Sequence, residues 1–141
     1  MNTMKARTLV TFAALALAGS ALAADGPPPP RKERVSFAKG ASSATIKATL
    51  KGGADVDYVV RAAAGQTLAV KLQSTNPQND FNVLPPGSNN VAMYVSSATG
   101  ERSWSGMLPA DGDYAIRVYL MRPAARRNES SKYSLTVAVT G

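Results

Sequence analysis

From Arg34 to the end of the chain, apolar and polar residues alternate with a period of two, the pattern of half-buried β-strands. The clearest runs are residues 44–50, 67–73, 113–120 and 131–139, and shorter runs predict strands at 57–62, 81–84, 91–96 and 102–107. Turn-forming residues separate these runs about every eight to twelve residues, and Pro109-Ala-Asp-Gly112 is the strongest such signal.

This pattern predicts an all-β fold, an antiparallel β-sandwich of about eight strands, because no segment has a convincing helical period. The stretch from Arg122 to Ser130 is predicted as a loop between the last two strands. Pro123 would also suit the first position of a helical turn.

The N-terminal segment has the features of a secretory signal peptide. Lys5 and Arg7 form a basic region, residues 9–18 are apolar, and Ala21-Leu-Ala23 is a small-x-small cleavage site. The apolar run is too short to span a bilayer, so no membrane insertion is expected. The predicted organisation is a signal peptide at 1–23, a proline-rich tether at 24–33 and a sandwich domain at 34–141, with a periplasmic location.

Composition excludes several kinds of chemistry. The chain has no cysteine and no histidine, which removes Ser-His-Asp and Cys-His catalysis and most zinc sites, and the chain is predicted not to be an enzyme. No cofactor is expected. The formal net charge is +7, to which the signal-peptide residues Lys5 and Arg7 contribute, and it favours acidic partners without identifying one.

The strongest candidate for a binding site is the basic segment that follows the strand at 113–120. Arg122 and Arg126 are four residues apart, so a single helical turn would place both guanidinium groups on one face. Arg127 and Asn128 add further donors. Such a group could clamp carboxylates or phosphates, or it could be a solvated hairpin loop whose arginine stems cover apolar surface.

Arg117 and Tyr119 lie on the outward face of the preceding strand and could extend this basic surface. Pairing with an acidic residue on a neighbouring strand is an equal alternative for Arg117.

Other candidate sites are weaker. Asp55 and Asp57, and likewise Asp111 and Asp113, are better interpreted as turn formers than as metal ligands, because a calcium site needs six or more oxygen atoms. Nucleic-acid binding fits poorly because aromatic residues are few. An exposed aromatic surface for sugars would use three residues, namely Phe81, Tyr94 and Trp104.

Several motifs together resemble the bacterial periplasmic inhibitors of g-type lysozyme. They are Phe37-Ala-Lys-Gly-Ala-Ser-Ser-Ala44, Tyr58 with Ala64-Gly65-Gln66, Pro85-Pro86-Gly87, Leu108-Pro-Ala-Asp-Gly-Asp-Tyr114, and Arg117-Val118 ahead of Arg122-x-x-Ala125-Arg126-x-Asn128 with Lys132-Tyr133. The turns at Gly65-Gln66 and Gly112-x-Tyr114 are also similar to those of bacterial pre-peptidase C-terminal domains.

The resemblance implies that the chain is an exported inhibitor whose basic loop blocks the substrate cleft of a g-type lysozyme, with Arg122 and Arg126 directed at the active-site carboxylates. The chain departs from the family pattern at Pro123, where relatives carry a polar residue, and in the small, acidic turn of residues 52–57, where they carry tyrosine. Whether this turn contacts the partner stays open. The alternative function is a glycan-binding or structural β-sandwich module of the cell envelope. Oligomeric state is not predicted.

Overall fold

Two β-sheets packed face to face make up the part of the protein that a computed structural model describes, residues 29–141. The five-stranded sheet contains, in spatial order, β1 (Arg31–Arg34), β3 (Val56–Ala62), β8 (Gly112–Leu120), β5 (Asn79–Leu84) and β6 (Tyr94–Val95). The four-stranded sheet contains β2 (Ser43–Lys51), β9 (Ser130–Thr140), β4 (Thr67–Ser74) and β7 (Ser103–Met107). The predicted all-β sandwich is confirmed, with nine strands in the described range.

The alternation seen in the sequence separates the core from the surface. On β8, Tyr114, Ile116 and Val118 are fully buried, and on β9 Leu135 and Val137 are fully buried in the facing sheet. Their neighbours along each strand point away from the core, because successive side chains of a strand lie on opposite faces.

A pair of tyrosines joins the two sheets through the core. The hydroxyl groups of Tyr58 on β3 and Tyr133 on β9 are 2.5 Å apart, and the rings meet edge to face with centroids 6.5 Å apart. Burial raises the pKa of both phenols above the usual value of 10.0. This contact satisfies both hydroxyl groups where solvent does not reach them.

The N-terminal strand differs from the expected organisation. Strand β1 overlaps the predicted tether at residues 31–33, and it pairs parallel with β3, whereas the other strand pairs of residues 29–141 are antiparallel. The sheet therefore begins at Arg31 rather than at residue 34. The predicted signal peptide and the first part of the predicted tether, up to residue 28, lie outside the described residues.

Two short helices occupy positions where the sequence suggested a strand and a loop. Helix α1 (Ser96–Thr99) follows the two-residue strand β6, so the predicted strand at 91–96 is mostly wrong. Helix α2 (Arg122–Arg126) replaces the predicted loop after β8. Neither helix of residues 29–141 has the length and apolar run needed to cross a membrane.

Candidate functional site

Helix α2 is held against the sandwich by one buried residue. Ala124 is 0 % exposed and belongs to the hydrophobic core. Pro123 lies in the first turn, where its missing N–H costs no hydrogen bond, and the amide of Ala125 donates to the carbonyl of Met121 at 2.9 Å. The helix forms because its small central residue fits the core.

The two arginines of the predicted clamp lie on the exposed side of α2. Arg122 and Arg126 each stand two residues from the buried Ala124, which places both on the opposite side of a helix with about 100° between residues. Both side chains are exposed, and neither forms an ion pair or a hydrogen bond with another side chain of residues 29–141. Their guanidinium groups are available to an external partner.

Arg127, by contrast, is engaged within the protein. Its Nε donates to Oε2 of Glu129 at 2.5 Å, and Nδ2 of Asn76 donates to Oε1 of the same carboxylate at 3.0 Å. The hydrogen bonds from Asn76 and Arg127 hold the pKa of Glu129 below its usual range. Glu129 thus ties the end of α2 to the loop after β4.

Asn128 makes the turn between α2 and β9. Its φ angle of 55° lies in the left-handed region, which asparagine tolerates better than most residues, and its amide donates to the carbonyl of Ala125 at 3.0 Å. The amide of Gly52 donates to the carbonyl of Glu129 at 2.8 Å, so the turn between β2 and β3 lies directly against this segment.

Gly52 and Asn128 are so close that no side chain fits at position 52. A Cβ atom at Gly52 would lie 2.5 Å from Oδ1 of Asn128, and the φ of Gly52 is +61°. The sequence pattern predicted no supporting role for α2 at Asn76, Gly52, Ala124 or Glu129. Asn76 meets Glu129 across 53 residues, and the contact of Gly52 with Asn128 spans a longer separation, so no local pattern marks these two contacts.

Arg117 and Tyr119 lie on the outward face of the five-stranded sheet and are engaged in internal contacts. Arg117 donates to both carboxylate oxygens of Asp57, at 2.7 and 3.0 Å, and to the carbonyl of Asn89 at 3.1 Å. The hydrogen bond with Asp57 raises the pKa of Arg117 above its usual value. The acidic cross-strand partner, one of the two alternatives for Arg117, is therefore present.

The hydroxyl of Tyr119 donates to Oδ1 of Asn82 at 2.9 Å and lies 3.2 Å from Oγ of Ser97. Burial raises the pKa of this phenol. Within the described residues, no side-chain hydrogen bond or ion pair links Arg117 or Tyr119 to α2.

The aromatic residues of the glycan alternative do not form an open surface. Phe81 is fully buried, and Tyr94 lies between Phe81 and Trp104 with ring centroids 5.5 and 5.6 Å away. Trp104 is partly buried and packs against the core. These three rings act as packing groups.

Three of the four paired aspartates, namely Asp57, Asp111 and Asp113, have side-chain partners within the fold. Asp111 accepts a hydrogen bond from the amide of Ala64 at 2.7 Å, and Asp113 lies within 3.5 Å of both Arg34 and Arg61. Among residues 29–141 no three acidic, histidine or cysteine side chains come together as a metal site.

The fold and the site together define a β-sandwich that presents two exposed guanidinium groups on a core-anchored helix. The chain belongs to the family of inhibitors of g-type lysozyme: it is 32 % identical to the inhibitor of g-type lysozyme of Escherichia coli (strain K12) over 108 residues, which are 74 % of this chain and 78 % of that one. The sequence resemblance is confirmed.

The crystal structure of a periplasmic inhibitor of g-type lysozyme from Aeromonas hydrophila is similar, with 38 % identity and a TM-score of 0.74 over 79 % of this chain and 98 % of that chain. The pre-peptidase C-terminal domain of a Bacillus anthracis collagenase shares the fold alone, with 14 % identity and a TM-score of 0.55 over 82 % of this chain and all of that one. No protein-family model matches the chain. The named relatives of the family are inhibitors and not enzymes, as predicted for this chain.

Proposed function

We propose that this chain inhibits a g-type lysozyme and that Arg122 and Arg126 contact the carboxylates of the enzyme's substrate cleft. The observation that carries the proposal is the pair of exposed arginines on α2, which have no carboxylate partner among residues 29–141. Glycoside hydrolases generally need acidic side chains in the cleft, and a guanidinium group matches a carboxylate with two parallel hydrogen bonds.

Support for the helix makes it an effective binding element. Ala124 fixes α2 from the core side, and the contacts of Glu129 with Arg127 and Asn76 fix its C-terminal end. A segment that is already ordered loses less conformational entropy when it binds. We therefore assign Arg127 and Asn128 to the positioning of α2, and Arg117 and Tyr119 to the stability of the sheet behind it.

A cell-wall turbidity assay with purified g-type, c-type and i-type lysozymes tests this function. The wild-type protein should inhibit the g-type enzyme, and Arg122→Ala and Arg126→Ala should each raise the inhibition constant about 30-fold, the equivalent of about 2 kcal/mol for one lost charge-assisted hydrogen bond. Arg61→Ala is the matched control, since it removes an exposed arginine outside α2. Unchanged inhibition by both α2 variants would refute the proposed contact.

We also propose that the chain is exported to the periplasm, the location named for the Aeromonas relative. The sequence features of residues 1–23 support this proposal. Sequencing the N-terminus of the protein recovered from a periplasmic fraction should give Ala24 or Asp25 as the first residue. A protein that retains Met1 in the cytoplasmic fraction would contradict it.

A further inference from the structure

The outward face of the four-stranded sheet carries positive charge that nothing on the face balances. Four exposed lysines point outward from its strands, namely Lys47, Lys51, Lys71 and Lys132. Strands β2, β4, β7 and β9 contain no aspartate or glutamate. None of the four lysines forms an ion pair with any residue of 29–141. We call this surface the lysine face.

The outward face of the five-stranded sheet differs. Its arginines have carboxylate partners: Arg117 is bound to Asp57, and Arg34 and Arg61 share the single carboxylate of Asp113. The lysine face therefore carries more unpaired positive charge than the outward face of the five-stranded sheet. Such an asymmetric distribution orients a protein toward a negatively charged surface and speeds its approach.

Strand register groups the lysines at one end of the face. Lys132 lies opposite Thr49, midway along β2 between Lys47 and Lys51. Diagonal neighbours on adjacent strands are roughly 7–8 Å apart, so Lys132 is a close neighbour of both Lys47 and Lys51. A shallow depression of about 580 Å³ lies between Lys47 and Lys132 and is also lined by Gln73 and Ser134.

We propose that the lysine face binds the phosphate headgroups of an anionic lipid membrane surface. Lysine recognises phosphate as a point charge and needs no fixed geometry, which suits a fluid array of headgroups. No aromatic residue points outward from these four strands, so the face offers no stacking platform for the rings of a glycan. Met107, which is 73 % exposed, lies beside Thr67 at the other end of the same face.

The lysine face and α2 are separate surfaces. Helix α2 connects β8 to β9 at one end of the sandwich, whereas the lysine face covers one side of it. Lys51 and Lys132 lie at the α2 end of the face, because Lys51 pairs with Ser130 at the start of β9 and its neighbour Gly52 bonds to Glu129. Lipid binding is measured without lysozyme and inhibition without lipid, so the two activities are tested independently.

Vesicle flotation at physiological ionic strength tests the proposal. The probes are vesicles of phosphatidylcholine mixed with phosphatidylglycerol, vesicles of phosphatidylcholine alone, and a soluble polyuronate as competitor. Each lysine at an anionic surface contributes about a fivefold factor to the partition coefficient, so Lys47→Gln with Lys132→Gln should lower binding to the mixed vesicles about 25-fold.

The matched control is Lys32→Gln with Lys39→Gln, which removes two exposed lysines outside the face. Its net charge equals that of the Lys47→Gln, Lys132→Gln variant. We expect the control to bind within about twofold of wild type, since neither Lys32 nor Lys39 lies on the four strands of the lysine face. Inhibition of g-type lysozyme in solution should be the same for both double variants, which separates this result from the proposed function.

Three results would overturn the proposal. They are no selective binding of the wild-type protein to the anionic vesicles, equal losses in the two double variants, and tighter binding to the soluble polyuronate than to the vesicles. The last result would assign the face to an anionic glycan.

Discussion

Arg117 and Asp57 face each other across β8 and β3 and are joined by two hydrogen bonds of 2.7 and 3.0 Å. The Asp57 side chain is only 6 % exposed and that of Arg117 is 20 % exposed. Water would therefore hydrate either charge poorly if its partner were removed. The same guanidinium holds the carbonyl of Asn89 in the loop between β5 and β6. One arginine thereby fixes two strands and a loop.

Replacing Arg117 should destabilise the protein without weakening its contact with lysozyme. Arg117→Gln leaves the buried Asp57 carboxylate without its partner, and we expect the free energy of unfolding in urea to fall by about 3 kcal/mol. The inhibition constant, measured where the variant is folded, should stay at the wild-type value. Arg61→Gln, which removes an exposed partner of Asp113, should cost less than about 1 kcal/mol. Weaker inhibition by a fully stable Arg117→Gln would instead make Arg117 a contact residue.

Two adjacent glycines in the turn between β2 and β3 should respond very differently to alanine. Gly52→Ala forces a Cβ atom to 2.5 Å from Oδ1 of Asn128 at a φ of +61°, whereas Gly53→Ala meets no atom within 4 Å. The first should lower stability by about 1 kcal/mol or more and displace the turn after α2, which raises the inhibition constant. The second should leave stability and inhibition unchanged. Equal effects of the two substitutions would show that the Gly52 contact does not position α2.

The alternation of the chain predicted most strands and their buried faces, because a period of two depends only on neighbouring residues. It could not predict which strand lies beside which. The partner of Arg117 is 60 residues away, and only the register of β3 against β8 brings Asp57 to it. The parallel pairing of β1 with β3 joins residues about 25 positions apart, and no local sequence pattern predicts it.

The period-two pattern also gave a wrong strand where a side chain, rather than a neighbouring strand, bonds to the main chain of β5. At the end of the predicted strand 91–96, Ser96 Oγ donates to Asp80 at 2.7 Å and accepts from the amide of Phe81 at 2.9 Å. The Ser96 side chain thus accepts the β5 amide hydrogen bond that a strand carbonyl would otherwise accept, and the backbone turns into α1 at this residue. At α2 the deciding factor is the burial of Ala124, although Pro123 had marked a helix start.

The buried tyrosine pair should make the protein sensitive to high pH. In the folded protein the pKa of Tyr58 and Tyr133 is raised, so both stay protonated where an unfolded tyrosine ionises near pH 10.0. Their contribution to stability is complete below pH 10.0 and is lost as the pH rises toward the folded values. The free energy of unfolding of the wild type should therefore fall steeply in alkali.

A double substitution separates this effect from other titrations. Tyr58→Phe with Tyr133→Phe keeps the rings and removes both hydroxyl groups, so its stability should fall less steeply with alkaline pH. Tyr58→Phe alone leaves the Tyr133 hydroxyl without a partner and should cost about 1–3 kcal/mol at neutral pH, more than the double variant costs. Parallel pH profiles for wild type and the double variant would contradict this role of the pair.

Arg122 and Arg126 should also control how quickly the complex forms. Long-range attraction between exposed charges weakens as the Debye length falls from about 30 Å at 0.01 M salt to about 8 Å at 0.15 M. In surface plasmon resonance, the association rate with g-type lysozyme should fall over this range, and Arg122→Gln with Arg126→Gln should give a flatter dependence and faster dissociation. Lys32→Gln with Lys39→Gln carries the same net charge and should keep the wild-type dissociation rate. If both double variants dissociate at the wild-type rate, the α2 arginines do not touch the enzyme and only the overall charge of the protein guides the encounter.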